Sequence, residues 1–190
     1  MQDYSSIEYI IIDGKSSDST TEIVNNYQAT YSYIKMVSEK DSGIYDALNK
    51  GLALATGDVI GFLHSDDLFP SNTIISELAS KINNDNLDGI YGDLQYVTKE
   101  NTNKIIRFWK SCEFRPELLK MGWMPAHPTL FLKKEIYLKH GQFNKSFEIS
   151  ADYDFMLRVL KDKTFKFGYL QKVITKMRLG GASNRSIQNI

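Results

Sequence analysis

Two acidic loops in the sequence have the composition needed to handle a charged ligand. The apolar run Ile7-Glu8-Tyr9-Ile10-Ile11-Ile12 stops at Asp13-Gly14, and Phe62-Leu63 stops at His64-Ser65-Asp66-Asp67. In an open α/β sheet, ligands collect beyond the carboxyl ends of the strands, where such loops converge. Adjacent carboxylates at Asp66 and Asp67 repel each other, and placing them at a strand end is costly unless a cation or hydrogen-bond donors compensate. Mg²⁺ or Mn²⁺ would compensate: both favour carboxylate oxygens and draw further ligands from substrate phosphates, so one or two carboxylates suit a diphosphate-bearing substrate. Each loop taken singly reads more readily as an Asx turn or a helix cap.

The elements that must position these residues alternate. Ile7 to Ile12 has the β-branched, unbroken apolar character of a strand buried in a parallel sheet. Asp18, with Thr21 and Glu22 behind it, is placed to cap a helix carrying Ile23, Val24 and Tyr27. Tyr33 to Val37 reads as a second strand, and Ile44, Leu48, Leu52 and Ala55 mark one side of a helix ended by Gly57. Asp58 to Leu63 is a further buried strand, and Pro70 precedes a helix built on Ile74, Ile75, Leu78 and Ile82. Strand–helix alternation predicts an α/β sheet with right-handed crossovers and helices on both faces.

Beyond residue 88 the pattern changes. Gly89 to Asp93 and Lys104 to Trp109 read as strands without crossover helices, which makes the sheet mixed. A short helix is predicted near Leu118 to Met121, a strand over Thr129 to Leu132, and a helix over Asp152 to Leu160 with Asp152 as its cap. No linker or repeat interrupts the 190 residues, so the expectation is one domain, 1–190, with a nucleotide half at 1–93 and an acceptor half at 94–190.

Composition narrows the partners. Lys plus Arg number 23 and Asp plus Glu 23, so there is no basic field to draw the chain onto nucleic acid. The single cysteine, Cys112, has no partner for an intramolecular disulfide, in keeping with a reducing compartment. No apolar run reaches the ~18 residues of a membrane-spanning helix. The chain is therefore expected to be cytoplasmic, with the inner face of the membrane open as a location.

The ordered segments Asp13-Gly14-Lys15-Ser16-Ser17-Asp18, Asp41-Ser42-Gly43-Ile44-Tyr45-Asp46-Ala47-Leu48-Asn49-Lys50-Gly51, and Ala55-Thr56-Gly57-Asp58 with Phe62 to Asp67 resemble successive signatures of family 2 glycosyltransferases of the GT-A fold. The resemblance continues through Ala151-Asp152-Tyr153-Asp154-Phe155 to Arg178-Leu179-Gly180-Gly181-Ala182-Ser183. It implies a Rossmann-like open sheet and inverting transfer of a hexose from a nucleotide diphosphate sugar to a saccharide or lipid-linked acceptor, in surface polysaccharide synthesis. By the same resemblance Asp13 contacts the nucleotide, Asp41 and Gly43 border the donor site with Asp67, and Asp66 holds the Mn²⁺ or Mg²⁺ ion. Asp152 matches the general base, with Asp154 the next candidate, and His127 matches a segment on the acceptor side. Arg178 and the glycines after it are placed to meet phosphate.

Three departures from the family pattern stand out. His64 occupies the place of the metal motif's first acid, Ala151 replaces a frequent acidic residue, and the strand with which relatives begin is absent. A shortened sheet exposes an edge, for which a homo-oligomer is one cover. Peripheral membrane contact is a further open partner, although no anchor is legible. The absent strand also motivates a second reading: a catalytically weak nucleotide-sugar-binding remnant or assembly protein. From the strand ends alone, Asp13 and Asp66 are expected at one edge of a single sheet.

Overall fold

The structure, a computed structural model, describes residues 1–179. Gly180, Gly181 and Ser183 of the predicted phosphate turn lie outside the described residues. The chain forms two compact units, one of residues 1–4, 61–132 and 162 onward, the other of residues 5–60 and 133–161.

The 5–60/133–161 unit is built on β1 (Tyr9–Asp13) and β2 (Ile34–Ser38), paired in parallel with Ile11 opposite Met36, and joined by α1 (Thr20–Thr30). Strands and crossover match the sequence reading, but burial does not. Tyr9 is exposed and Ile10 to Ile12 are only half-buried, because β1 pairs with β2 alone among the described residues. Asp18 serves α1 from one position further out than expected: its carboxylate accepts the Thr20 N–H at 3.0 Å, and Ser19 occupies the cap position.

α2 (Ile44–Leu54), α4 (Lys134–His140) and α5 (Ala151–Leu160) complete this unit. Its core is aromatic: the Tyr137 and Phe155 rings stack at 5.0 Å, and Phe143 lies 5.0 Å from Phe155. Tyr45 closes on Phe143 at 6.0 Å. Asn49, buried on α2, grips the Phe143 backbone from both sides, donating to its carbonyl at 2.9 Å and accepting its N–H at 3.0 Å.

A mixed sheet, most of whose residues belong to the other unit, is formed by β3 (Val59–Gly61), β4 (Asp67–Leu68), β5 (Gly89–Val97), β6 (Ile105–Trp109), β7 (Phe131–Lys133) and β8 (Phe167–Arg178). The order is β3-β7-β5-β8-β4, with β6 also on β5. β5 runs parallel to β8 and antiparallel to β6 and β7, the mixed character expected from the sequence. β8 was not foreseen, because Lys172, Lys176 and Arg178 break its apolar alternation. β3 is shorter and more exposed than expected, with Val59 at the surface.

α3 (Ile74–Asp85) buries Ile74, Leu78 and Ile82 against Leu87, Ile90 and Ile174. Burial of such a cluster is the main favourable term holding helix to sheet. The helix start is capped from a distance: the Gln2 side-chain oxygen accepts the Ile75 N–H at 3.1 Å while its amide donates to the Ser71 carbonyl at 2.8 Å.

Candidate active site

In the 5–60/133–161 unit the loop after β1 is knotted around Asp13. This carboxylate is buried and accepts the Ser16 hydroxyl, the Ser16 N–H at 3.0 Å and the Ser38 hydroxyl at 2.5 Å. The Ser16 and Ser38 hydroxyls hold its pKa below the ordinary value, so Asp13 is an anion that ties the loop to the end of β2.

Gly14 faces Asp41. A Cβ on Gly14 would sit 2.7 Å from Asp41 Oδ2, so glycine lets the two loops close. Asp41 Oδ1 accepts the Gly43 N–H at 3.0 Å, and Gly43 enters α2 at φ +123°, a conformation that favours glycine. Asp46 locks the turn by accepting the Ser42 N–H at 3.1 Å, and its charge is met by Lys145 at 2.8 Å. The structure thus brings Asp13, Gly14, Asp41 and Gly43, distant in sequence, into one loop cluster.

Asp152 lies in the first turn of α5 and is not its cap. Ser150 holds the cap position with φ 72°, a left-handed conformation that costs a non-glycine residue energy and recurs near functional sites. Asp152 Oδ1 accepts the Tyr45 hydroxyl at 3.1 Å, and its Oδ2 meets no partner among the described residues. Tyr45 was not singled out from the sequence; its place one turn into α2, after Gly43, was the available signal. Burial first, and then the Asp152 charge, push the Tyr45 pKa above its usual range, so the phenol remains a donor. Asp154 is committed elsewhere: Arg158 donates to its Oδ2 at 3.1 Å.

In the other unit, Asp66 is half-buried and its carbonyl faces the Arg178 guanidinium at 3.5 Å. Asp67 is buried on β4 opposite Met177, its N–H bonded to the His64 carbonyl at 2.9 Å. Its Oδ2 meets no hydrogen-bond donor among the described residues. Burial, reinforced by the Asp66 charge, pushes the Asp67 pKa up to about 7. Such a pair fits a divalent cation, whose charge would offset both effects. No group of three or more His, Cys, Asp or Glu side chains suited to a metal occurs among the described residues, so an ion here would take its other ligands from phosphate and water.

His127 is buried, stacked on Phe62 at 5.7 Å and tilted against His64 at 5.8 Å. Trp123, half-buried, packs between Tyr91 and Phe114. The expectation that Asp13 and Asp66 end strands of one sheet is not met: β1 belongs to the two-stranded sheet and β3 to the six-stranded one. Among the described residues β1 pairs with β2 alone.

Known proteins resemble this chain in sequence and in fold. A PGL/p-HBAD biosynthesis glycosyltransferase of Mycobacterium bovis is 28% identical over 180 residues, covering 93% of this chain and 68% of the relative. Among solved structures, S. aureus TarS 1-349 in complex with UDP-GlcNAc superposes with a TM-score of 0.78 at 18% identity, covering 98% of this chain and 54% of that one. The mannosyltransferase PcManGT from Pyrobaculum calidifontis, in complex with GDP-Man and Mn²⁺, gives 0.67 at 18% identity, covering 96% and 51%. The chain therefore spans about half the length of the solved structures it matches. The shared fold is the GT-A type of α/β architecture. The family model for glycosyl transferase family 2 matches residues 1–132, and the chain belongs to that family.

Proposed function

We propose that the chain transfers a hexose, with inversion, from a nucleotide diphosphate sugar to a saccharide or lipid-linked acceptor in surface polysaccharide synthesis. The observation that carries this reading is Asp152, with one oxygen held by Tyr45 and the other bound to no described residue. In the proposed step the acceptor oxygen attacks the anomeric carbon, its proton passes to Asp152 Oδ2, and the bond to the diphosphate breaks with its electrons on the leaving oxygen. Asp154, paired with Arg158, is the less suited base.

The donor residues are assigned on the same footing. Asp13, Asp41 and Gly43 shape the nucleotide-binding loops, and Asp66 with Asp67 would hold the Mn²⁺ or Mg²⁺ ion, which when bound neutralises diphosphate charge. His127 and Arg178 are assigned to the acceptor side and to phosphate, respectively. The names of the relatives support the substrate class, since the solved structures hold UDP-GlcNAc or GDP-Man and the mycobacterial relative acts in PGL/p-HBAD biosynthesis. Calorimetry with UDP, GDP and TDP, with and without Mn²⁺, tests the reading. Mn²⁺-dependent binding of one of these nucleotides is expected; binding of none with or without the ion would remove it.

A further inference from the structure

Edge strand β6 carries an exposed surface that includes no residue assigned to sugar transfer. Ile105, Ile106 and Phe108 are each about half exposed, at 51, 51 and 50%. β6 pairs only with β5, so its outer edge meets no strand among the described residues. Exposed Lys104, Arg107 and Lys110 interleave with these apolar side chains and form no ion pair among the described residues. Over 99–110 the chain has four cations, Lys99, Lys104, Arg107 and Lys110, against one acid, Glu100, in a protein whose charges balance over its whole length. Arg107 lies over the Tyr96 ring at 5.4 Å and the Trp109 ring at 5.6 Å, which keeps its charge at the surface beside aromatic groups.

Charge decides what can cover such an edge. A second copy pairing antiparallel about Arg107 would set Arg107 against Arg107 and Lys104 against Lys110. Like charges directly opposite destabilise a strand pair, and lysines on an edge are a known guard against self-pairing. An anionic lipid surface satisfies both halves of the pattern, because aliphatic and aromatic side chains enter the acyl boundary while Lys and Arg reach the phosphates. We propose that the β6 edge, through Ile105, Ile106 and Phe108 with Lys104, Arg107 and Lys110, docks this chain on an anionic phospholipid bilayer. The proposal stands apart from the sugar-transfer reading, since no residue assigned to transfer lies on β6.

The test is pelleting of the full chain with vesicles of phosphatidylcholine and of phosphatidylcholine mixed with phosphatidylglycerol. Binding to the mixed vesicles is expected to exceed binding to neutral ones by roughly tenfold or more and to weaken with salt. Ile106→Ser with Phe108→Ser lowers it by about tenfold at fixed salt, and Lys104→Glu with Lys110→Glu removes the preference for anionic lipid. Thermal melting checks that the variants fold. Should one fail, quenching of the unaltered chain's tryptophan emission by brominated phosphatidylglycerol gives an independent reading through Trp109. Equal partition onto both vesicles, no binding to either, no quenching, or charge reversal without effect would overturn the proposal. So would a dimer in ultracentrifugation that is lost on Phe108→Ser while vesicle binding is absent.

Discussion

The hydroxyl of Tyr45 donates to Oδ1 of Asp152 across 3.1 Å, joining the start of α2 to the first turn of α5. The bond takes one carboxylate oxygen out of play and fixes the direction in which the other can act. A hydrogen bond to a charged group contributes about 1.5–3 kcal/mol, and losing one that orients a base is expected to cost roughly tenfold or more in rate. Tyr45→Phe keeps the ring on Phe143 and removes only the donor. Sugar release from the donor nucleotide should slow by that factor while nucleotide affinity measured by calorimetry holds.

Asp152→Asn gives a larger effect. A positioned base contributes ~100- to 10,000-fold, so turnover should fall by that order with donor affinity nearly unchanged. Capping is not at issue, because Ser150 and not Asp152 occupies the cap position. Near-normal turnover in this variant would take the base role from Asp152.

Asp66→Asn tests the acidic pair of the other unit. Removing one charge also relieves Asp67, whose pKa is raised by burial and by Asp66, so the fold should persist. Nucleotide binding is expected to lose its dependence on Mn²⁺, and a titration in which the ion still strengthens binding in the variant would remove Asp66 from the metal role.

The sequence disclosed the elements better than their surroundings. Apolar spacing located β1, α2, α3 and β5, and the acidic loops were found where strands end. Burial could not be read the same way: Ile10 to Ile12 look like a core strand, yet remain half-buried because a neighbour, not composition, decides what covers a strand. β8 was missed because Lys172 and Lys176 fall at the same period-two positions as buried Ile174, which leaves no apolar alternation to read. Tyr45, Gln2 and Asn49 were missed for a common reason: each acts on a partner more than 70 residues away, and no local pattern encodes such a bond.

Glu8 gives a pH signature. Its carboxylate bonds to Lys35 at 2.6 Å and to the Thr56 N–H at 2.8 Å, with Lys35 the larger cause of a pKa lowered from 4.5 to about 2. A lowered folded-state pKa stabilises above the unfolded value and loses that contribution as pH falls through the folded one. Glu8→Gln should therefore cost about 1 kcal/mol at neutral pH, a modest figure because the Lys35 partner is solvent-screened. In denaturant melts, the gap between the wild type and the variant should close between pH 4.5 and about 2.

Asn49 offers the sharpest structural test, because its two bonds to Phe143 need both halves of the amide. The carbonyl accepts the Phe143 N–H and the amino group donates to the Phe143 carbonyl, as one strand residue would pair with another. The site is buried, so an unmet partner cannot turn to water. Asn49→Ala removes both bonds to Phe143 and should cost about 2–4 kcal/mol. Asn49→Asp is nearly isosteric but puts an anionic oxygen against the Phe143 carbonyl, so at neutral pH it should destabilise at least as much as alanine despite its closer shape. Protonation restores a donor, and the aspartate variant is expected to regain stability relative to alanine as pH falls, because its buried carboxyl favours the neutral form. Urea melts at neutral and acid pH check the ordering. An aspartate variant that matches the wild type at neutral pH would mean that the Asn49 amide does not hold Phe143.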